Sequence, residues 1–431
     1  MAIARYIDRA NLEVNRVAEQ SCIIIGAGPA GLAAAIAAAR GGRGVVVLEK
    51  KADPGRKLLL AGGGRANLTD PDIPSLEAAA AYGRSGRFLH QALASFSLAE
   101  FLRKLGVATK WEKGGPRGES VFVRGGSRRL LDALLSATAR AGVRVVCGSA
   151  VRAAARLDGG GFEVRTSRRV WKCRRLIIAA GGMTYPSTGS CGDGYRLAEI
   201  FGHAVESPRP ALGAPATEPC FPAIAGVSAA DALITLRRGG RKLATRRGAL
   251  LFTHRGVSGP PVLDLSLEMA RAAPPDGAAG MQLTADLSPD ITRERLVDEF
   301  LAAAKSHPKR SLENAGRYGA LPARLTAELA ARAGIPEDRR IGQISRREFI
   351  ALAGHVKSLA MTVVAPPDVN DAMVTLGGVV AKGLDPHTME SRTVAGLHFA
   401  GELLAPAGPC GGYNLLMAFA TGSAAGNIQQ G

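Results

Sequence analysis

Residues 22–50, CIIIGAGPAGLAAAIAAARGGRGVVVLEK, set out a strand, a glycine turn, a helix and a second strand closed by an acidic residue. Ile23 to Ile25 form a short buried apolar run. Gly26, Gly28 and Gly31 then supply G-x-G-x-x-G where that run must turn into an alanine-rich helix. Gly26 permits the sharp turn, Gly28 lets backbone approach a pyrophosphate, and Gly31 lets the helix lie close on the strand. Pro29 and Ala30 open the helix, whose N-terminal N–H groups and dipole face the same phosphates. Glu49 sits eighteen residues after Gly31, where a carboxylate accepts hydrogen bonds from an adenosine ribose and repels a 2′-phosphate, with Lys50 beside it. The unit therefore favours FAD or NAD over NADP. Residues 22–39 carry no charge, yet the glycines and Pro29 in their middle argue against a membrane span.

The chain has 431 residues, enough for two or three domains, and its 46% hydrophobic and 21% charged content is that of a globular protein without stable membrane insertion. Residues 1–20 read as a leader without the apolar centre of a signal peptide. Six cysteines are scattered with no C-x-x-C pair, which points to a reducing cytoplasm, no metal site and no disulfide framework. It also removes dithiol chemistry beside a flavin, so electrons must pass directly to a substrate or to oxygen.

The net charge of +18 makes an anionic partner plausible, and two runs concentrate it, Arg165 to Arg175 and Arg237 to Arg247. Both read first as solvated hairpins, with an RNA-facing surface as the alternative. Aromatic residues amount to only 5%, and Trp171 is the only one inside either run, so the base-stacking signature of single-strand binders is thin.

Further along, GRKLLLAGGGRANLTD (residues 55–70) is a glycine-rich loop flanked by cations. Residues 176–180 form another buried run, followed by Gly181 and Gly182. From about Pro208 the pattern shifts to short strands punctuated by proline and glycine, and residues 291–352 read as mostly helical. Near the C-terminus, Gly401 and Glu402 close a strand, and Gly411 and Gly412 precede a final helix from Tyr413 to Gly426. That helix start suits the anionic reduced form of a flavin ring.

The blocks GAGPAGLAAA, LEKKADPGRKLLLAGGGRANLTD, AAGGMTYPSTGSCGDGY, LFTHRGVSGP, MVTLGGV, TMESRTVAGLHFAGELL and GGYNLLMAFATGSAAG, in this order, resemble one family. It is the bacterial flavoprotein family of BaiN-like bile-acid reductases, YhiN-like proteins and aminoacetone oxidase-like enzymes. The resemblance implies an α/β fold with a Rossmann-like FAD-binding domain formed from both chain ends, residues 20–195 and 366–431. An inserted β-barrel-like subdomain is expected at 196–288 and 354–365, with a small helical module at 289–353. There is no second dinucleotide motif, so NAD(P)H would bind transiently as electron donor. One departure is Ala66, where the family often has cysteine, which removes any thiol role in that loop.

The cofactor residues expected are Gly26, Gly28, Pro29, Ala30, Gly31, Glu49, Lys50, Lys57, Gly63, Gly64, Arg65, Asn67, Ala180, Gly181, Gly182, Gly401, Glu402, Gly411, Gly412, Tyr413 and Asn414. Lys57 would serve the pyrophosphate as a point charge or stand solvated, and Arg65 would face the flavin ring or pair at the surface. Reduction of a double bond needs a proton donor, and His254 in THRGVSGP, Tyr185 and Tyr413 are the candidates. Loops 183–195 and 253–260 would cover the site. The reaction expected is hydride transfer from NAD(P)H through FAD to an activated carbon–carbon double bond of a small molecule. The alternatives are uridine in ribosomal RNA, an oxygen-using amine oxidase, or a flavoprotein that senses or binds without catalysis.

Overall fold

The computed structural model describes residues 7–8, 19–42, 44–113, 119–273, 280–315 and 321–427. The chain divides into two compact units, Met1–Pro210 with Ala372–Gly431, and Ala211–Asp371. Most of the leader lies outside the described residues.

Up to the insertion the strands are β1 (Ile7–Asp8), β2 (Gln20–Ile25), β3 (Val45–Leu48), β4 (Asn67–Leu68), β5 (Thr109–Lys113), β6 (Glu119–Val123), β7 (Arg144–Val146), β8 (Val151–Arg156), β9 (Phe162–Thr166), β10 (Val170–Ile178) and β11 (Val205–Ala211). The helices are α1 (Pro29–Ala38), α2 (Ser75–Ala80), α3 (Gly86–Ala94), α4 (Leu98–Leu105), α5 (Gly126–Arg140) and α6 (Asp193–Ile200). The insertion holds β12 (Ala216–Glu218), β13 (Ser228–Arg238), β14 (Arg241–Thr253), β15 (Gly256–Ser258), β16 (Met281–Asp286) and β17 (Leu359–Ala365). Its helices are α7 (Pro260–Ala272), α8 (Arg293–Ser306), α9 (Leu312–Ala315), α10 (Ala323–Arg332) and α11 (Arg346–Lys357). The chain then returns through β18 (Val374–Val379), β19 (Leu397–Phe399) and α12 (Tyr413–Gly426).

In the first unit the main sheet runs β1-β7-β3-β2-β10-β9-β8, with β19 also on β10. The strands β1, β7, β3, β2, β10 and β19 pair in parallel. Parallel strands are covered on both faces, which is why VVVL of β3 is buried at every position and CIII of β2 reads as a continuous apolar run. Ile25 lies opposite Leu48 and Ile178, and Ile178 lies opposite Phe399, so these four strands end level at one edge. Strands β8, β9 and β10 form an antiparallel meander.

Helix α1 is buried on almost every side, the behaviour of a helix that is apolar all round. It touches α12 backbone to backbone. A Cβ placed on Gly422 would stand 2.3 Å from the Ala30 carbonyl oxygen, and one on Gly426 would stand 2.2 Å from that of Ala34. The C-terminal helix is thereby locked onto the N-terminal dinucleotide unit, and only glycine fits at the crossing.

The second unit is a closed barrel, β12-β15-β14-β13-β16-β17. Alternate residues of its strands, among them Ile234, Leu236, Leu283 and Met361, fill the interior, and closure leaves no sheet edge exposed. Helices α8, α10 and α11 share one apolar core with the barrel, in which Phe300 stacks on Phe349 at 5.4 Å between ring centroids. The helical segment therefore has no separate core; it is one body with the strands around it.

Gly422→Val should destabilise the first unit by about 1–3 kcal/mol through overpacking against Ala30. Urea unfolding of the full chain checks this, and an unchanged midpoint would show that α1 and α12 do not touch as described.

Candidate functional site

The three glycines of the first turn do three different things. Gly26 holds φ +103, and a Cβ there would sit 2.5 Å from the Ala179 carbonyl oxygen. At Gly31 it would sit 1.9 Å from the Gly26 carbonyl oxygen, so α1 rests on the turn that precedes it. At Gly28, with φ −83, a Cβ would meet no heavy atom within 4 Å. The protein itself does not need glycine at that position. The space beside Gly28 fits a diphosphate, and Pro29 and Ala30 begin α1 there with no side chain capping its N–H groups.

Glu49 closes β3 as anticipated, but its carboxylate is already engaged. Oε2 accepts from the Ala27 amide at 2.9 Å and Oε1 from the Lys51 amide at 2.8 Å. Burial raises its pKa despite those two bonds. The carboxylate braces the phosphate turn and keeps lone pairs for a ribose. Lys50 turns away from a cofactor role. Its ammonium donates to Asp193 Oδ2 and Cys191 Sγ, each at 2.7 Å, and so holds the loop that precedes α6.

Chain segments from both ends meet at the carboxyl edge of the parallel sheet. The Ala179 amide donates to Ile25 O and the Ala400 amide to Ile178 O. Ala180, Gly181 and Gly182 leave β10 at that edge, and Gly401 and Glu402 follow β19. A Cβ on Gly401 would be 2.6 Å from that of Ala30, and one on Gly182 would be 2.6 Å from Glu402 Oε1. Lys57 donates to Glu402 at 2.7 and 2.8 Å and to Thr184 Oγ1 at 2.7 Å, which uses its three protons. The Thr375 amide and hydroxyl also donate to Glu402, each at 3.0 Å. The phosphate role expected for Lys57 is thus replaced by an ion pair that ties residue 57 to residue 402. Thr184 and Thr375 complete this hub, and although both stand in blocks read from the sequence, nothing local marked them as its members.

The triple-glycine loop joins the last helix on a second side. Gly63 and Gly64 take φ +64 and +86, and Gly412 is pressed so tightly on β4 that a Cβ would fall 2.1 Å from the Leu68 carbonyl carbon. Flanking Leu68, Asn67 Oδ1 and Thr69 Oγ1 are buried without a hydrogen-bond partner among the described residues. Such orphaned atoms fit a bound group rich in donors and acceptors, as a flavin ring is. Of the two positions expected for Arg65 the structure has the surface pair: its guanidinium lies 3.9 Å from the Phe122 ring centroid and pairs with Glu112 at 2.8 Å on an exposed surface. Asn414 grips the loop before α12 by donating to Gly408 O and accepting from its amide, each at 2.9 Å. Gly411 and Gly412, at φ +107 and +86, set that loop at the helix start.

The three candidate proton donors are placed differently. Tyr413 is buried, its ring edge-on to that of Tyr82 at 6.2 Å between centroids, and its carbonyl accepts from the Tyr82 hydroxyl at 2.7 Å. Its ring is thus packed against Tyr82. Tyr82 itself lay outside every motif. Tyr185 holds a left-handed conformation, φ 53 and ψ 57, directly after Thr184 of the hub. His254 is exposed in the two-residue turn between β14 and β15 of the barrel unit. Among the described residues no cluster of His, Cys, Asp and Glu is placed to hold a metal, and no helix is long and apolar enough to cross a membrane.

A parallel sheet with a dinucleotide turn, closed by a C-terminal strand and helix and interrupted by a barrel, defines an FAD-dependent oxidoreductase. The family described as HI0933-like protein Rossmann domain matches residues 20–428, and the chain belongs to it. The chain is 33% identical over 407 residues to the ribosomal RNA dihydrouridine synthase of Escherichia coli (strain K12), covering 93% of this chain and 95% of that protein. It is 32% identical over 410 residues to the 3-dehydro-bile acid delta(4,6)-reductase of Clostridium scindens, covering 94% and 97%. Among solved structures, 3-ketosteroid delta1-dehydrogenase from Sterolibacterium denitrificans shares the fold, with a TM-score of 0.53 at 14% identity over 95% of this chain and 99% of that one.

Gly28→Val should abolish FAD retention and leave unfolding of the FAD-free protein within about 0.5 kcal/mol of the parent, since φ there suits any residue and no protein atom is displaced. Equal FAD content in the two proteins would show that the diphosphate lies elsewhere. Glu402→Leu should cost about 3 kcal/mol by stranding the Lys57 charge, and adding Lys57→Met should recover part of that loss in a double-mutant cycle. Additive losses would mean that the pair is not coupled.

Proposed function

We propose that the protein passes hydride from NAD(P)H through FAD to a carbon–carbon double bond conjugated to a carbonyl, and that this bond is C5–C6 of uridine in ribosomal RNA. The FAD reading rests on one observation above all, the free approach to Gly28 at the edge where both chain ends converge. Two features support the acceptor. One relative is named for dihydrouridine in ribosomal RNA and another for reduction of a 3-dehydro bile acid, and both names describe an enone-type acceptor. The net charge of +18 favours the polyanion over the steroid.

FAD bound at this edge supplies the two-electron carrier between nicotinamide and acceptor. The chain supplies the rest. The α1 N-terminus and the Gly28 backbone would hold the diphosphate, Asn67 and Thr69 would offer their unpartnered oxygens to the ring, and the α12 N-terminus would stabilise negative charge on it. Addition of hydride to C6 of uridine places negative charge on C5 and the C4 carbonyl, so a proton must reach C5. We assign that proton to Tyr185, whose loop is fixed by Thr184 on the Lys57–Glu402 hub and by the bonds from Thr188 to the Tyr185 carbonyl.

Anaerobic photometry of the holoprotein tests the sequence of steps. NADH or NADPH should bleach the flavin band, and a ribosomal RNA transcript containing unmodified uridine should restore it with formation of dihydrouridine. Tyr185→Phe should slow the second step by about 10²-fold or more and leave the first unchanged. If the transcript left the flavin reduced, and in air a small amine were oxidised while oxygen was reduced to stoichiometric peroxide, an oxidase would replace the proposal.

A further inference from the structure

The two basic runs look alike in the sequence, and the structure separates them. In the barrel unit, Arg247 pairs with both Asp231 and Asp290, and Arg246 reaches Glu268. Arg237 and Arg238 donate to the carbonyls of Gly240 and Ala272. Most of that charge is answered by its own surroundings. The meander β8–β9–β10 of the first unit is different. Residues 151–175 carry eight cations (Arg152, Arg156, Arg165, Arg168, Arg169, Lys172, Arg174 and Arg175) against two carboxylates, Asp158 and Glu163. Only Arg165 has a carboxylate partner among the described residues, Glu163 at 2.7 Å, while Arg175 turns inward to Ala425 O and Arg169 lies over Trp171. Arg152, Arg156, Arg168, Lys172 and Arg174 are exposed and stand in no ion pair among the described residues.

The register puts Arg165, Lys172 and Arg174 on one face. Residues directly opposite each other share a side of an antiparallel pair. Arg165 stands between Ala153 and Val170, and Glu163 stands between Ala155 and Lys172, with Arg174 two residues further along β10. Phe162, Val164, Trp171 and Cys173 fill the opposite, buried side. The outer face is therefore cationic, floored by alanines, and bears no aromatic ring on which a base could stack. Phosphates, rather than unstacked bases, are what such a face can bind. From Lys172 to Ile178, the last residue before the flavin edge, β10 covers six steps, about 20 Å of extended chain.

We infer that the outer face of the β8–β9–β10 meander is the docking platform for the phosphate backbone of a structured RNA, whose target uridine is presented at the carboxyl edge of the same sheet. The inference rests on the uridine reading above, and it assigns the contact to this face and not to the hairpin of the barrel unit.

The test uses the FAD-loaded protein and a ribosomal RNA transcript. In Arg168→Ala/Lys172→Ala/Arg174→Ala the transcript should bind at least about tenfold more weakly at 0.1 M salt, and the slope of log affinity against log salt should flatten by about 2 to 3. FAD content and the rate of flavin bleaching by NAD(P)H should match the parent, which shows that the variant is folded. The double variant Arg241→Ala/Lys242→Ala should keep parental affinity. If the parent forms dihydrouridine and the triple variant binds as tightly as the parent, the docking inference fails while the uridine reading survives. If the parent neither binds nor modifies the transcript, both fail. Equal weakening in both variants would reduce the effect to bulk charge and overturn the assignment to this face.

Discussion

The fold depends on contacts so close that no side chain can intervene. Helix α1 rests on the carbonyl of Gly26, and α12 rests on the carbonyls of Ala30 and Ala34, through Gly31, Gly422 and Gly426. Each contact fixes a helix against backbone, which shifts far less than a side chain does. Because the partners come from opposite ends of the chain, the N-terminal phosphate turn and the C-terminal helix form one rigid unit. The insertion folds around its own closed barrel and core, so the two units have separate sources of stability.

Electrostatics at the sheet edge is arranged to hold loops. Lys50, Lys57, Glu49 and Glu402 all read as cofactor ligands, and all are engaged with protein groups: Asp193 and Cys191, Glu402 and Thr184, two backbone amides, and Thr375. A diphosphate approaching Gly28 would meet backbone amides and a helix end in place of a lysine. That arrangement suits a tightly held neutral ring system joined to phosphates, since amides fixed by the fold need no reorganisation when the ligand arrives. Among the described residues the meander keeps most of its cations out of ion pairs.

The limits of the sequence reading follow from distance along the chain. Gly26, Gly28 and Gly31 were legible because a turn and its helix are local, and the spacing alone assigns each glycine its task. The apolar runs of β2, β3 and β10 were legible as buried parallel strands for the same reason. Lys57 was not, because its partner lies 345 residues away, and no periodicity reports such a pair. Arg65 stayed open between the flavin ring and a surface pair because Phe122 and Glu112 arrive on a ribbon whose pairing with β4 the sequence does not announce. The helical segment at 289–353 was legible as a module of the insertion from its periodicity, whereas the core that its apolar face shares with the barrel was not. The similarity of the two basic runs ended only when their neighbours' carboxylates came into view.

The account stands on one FAD held between the two ends of the chain. The most direct measurement is the visible spectrum and released-flavin content of the purified full-length protein, followed by titration of FAD into any empty fraction. The account predicts a yellow protein that saturates at one FAD per chain. A colourless protein that takes up no FAD would contradict it.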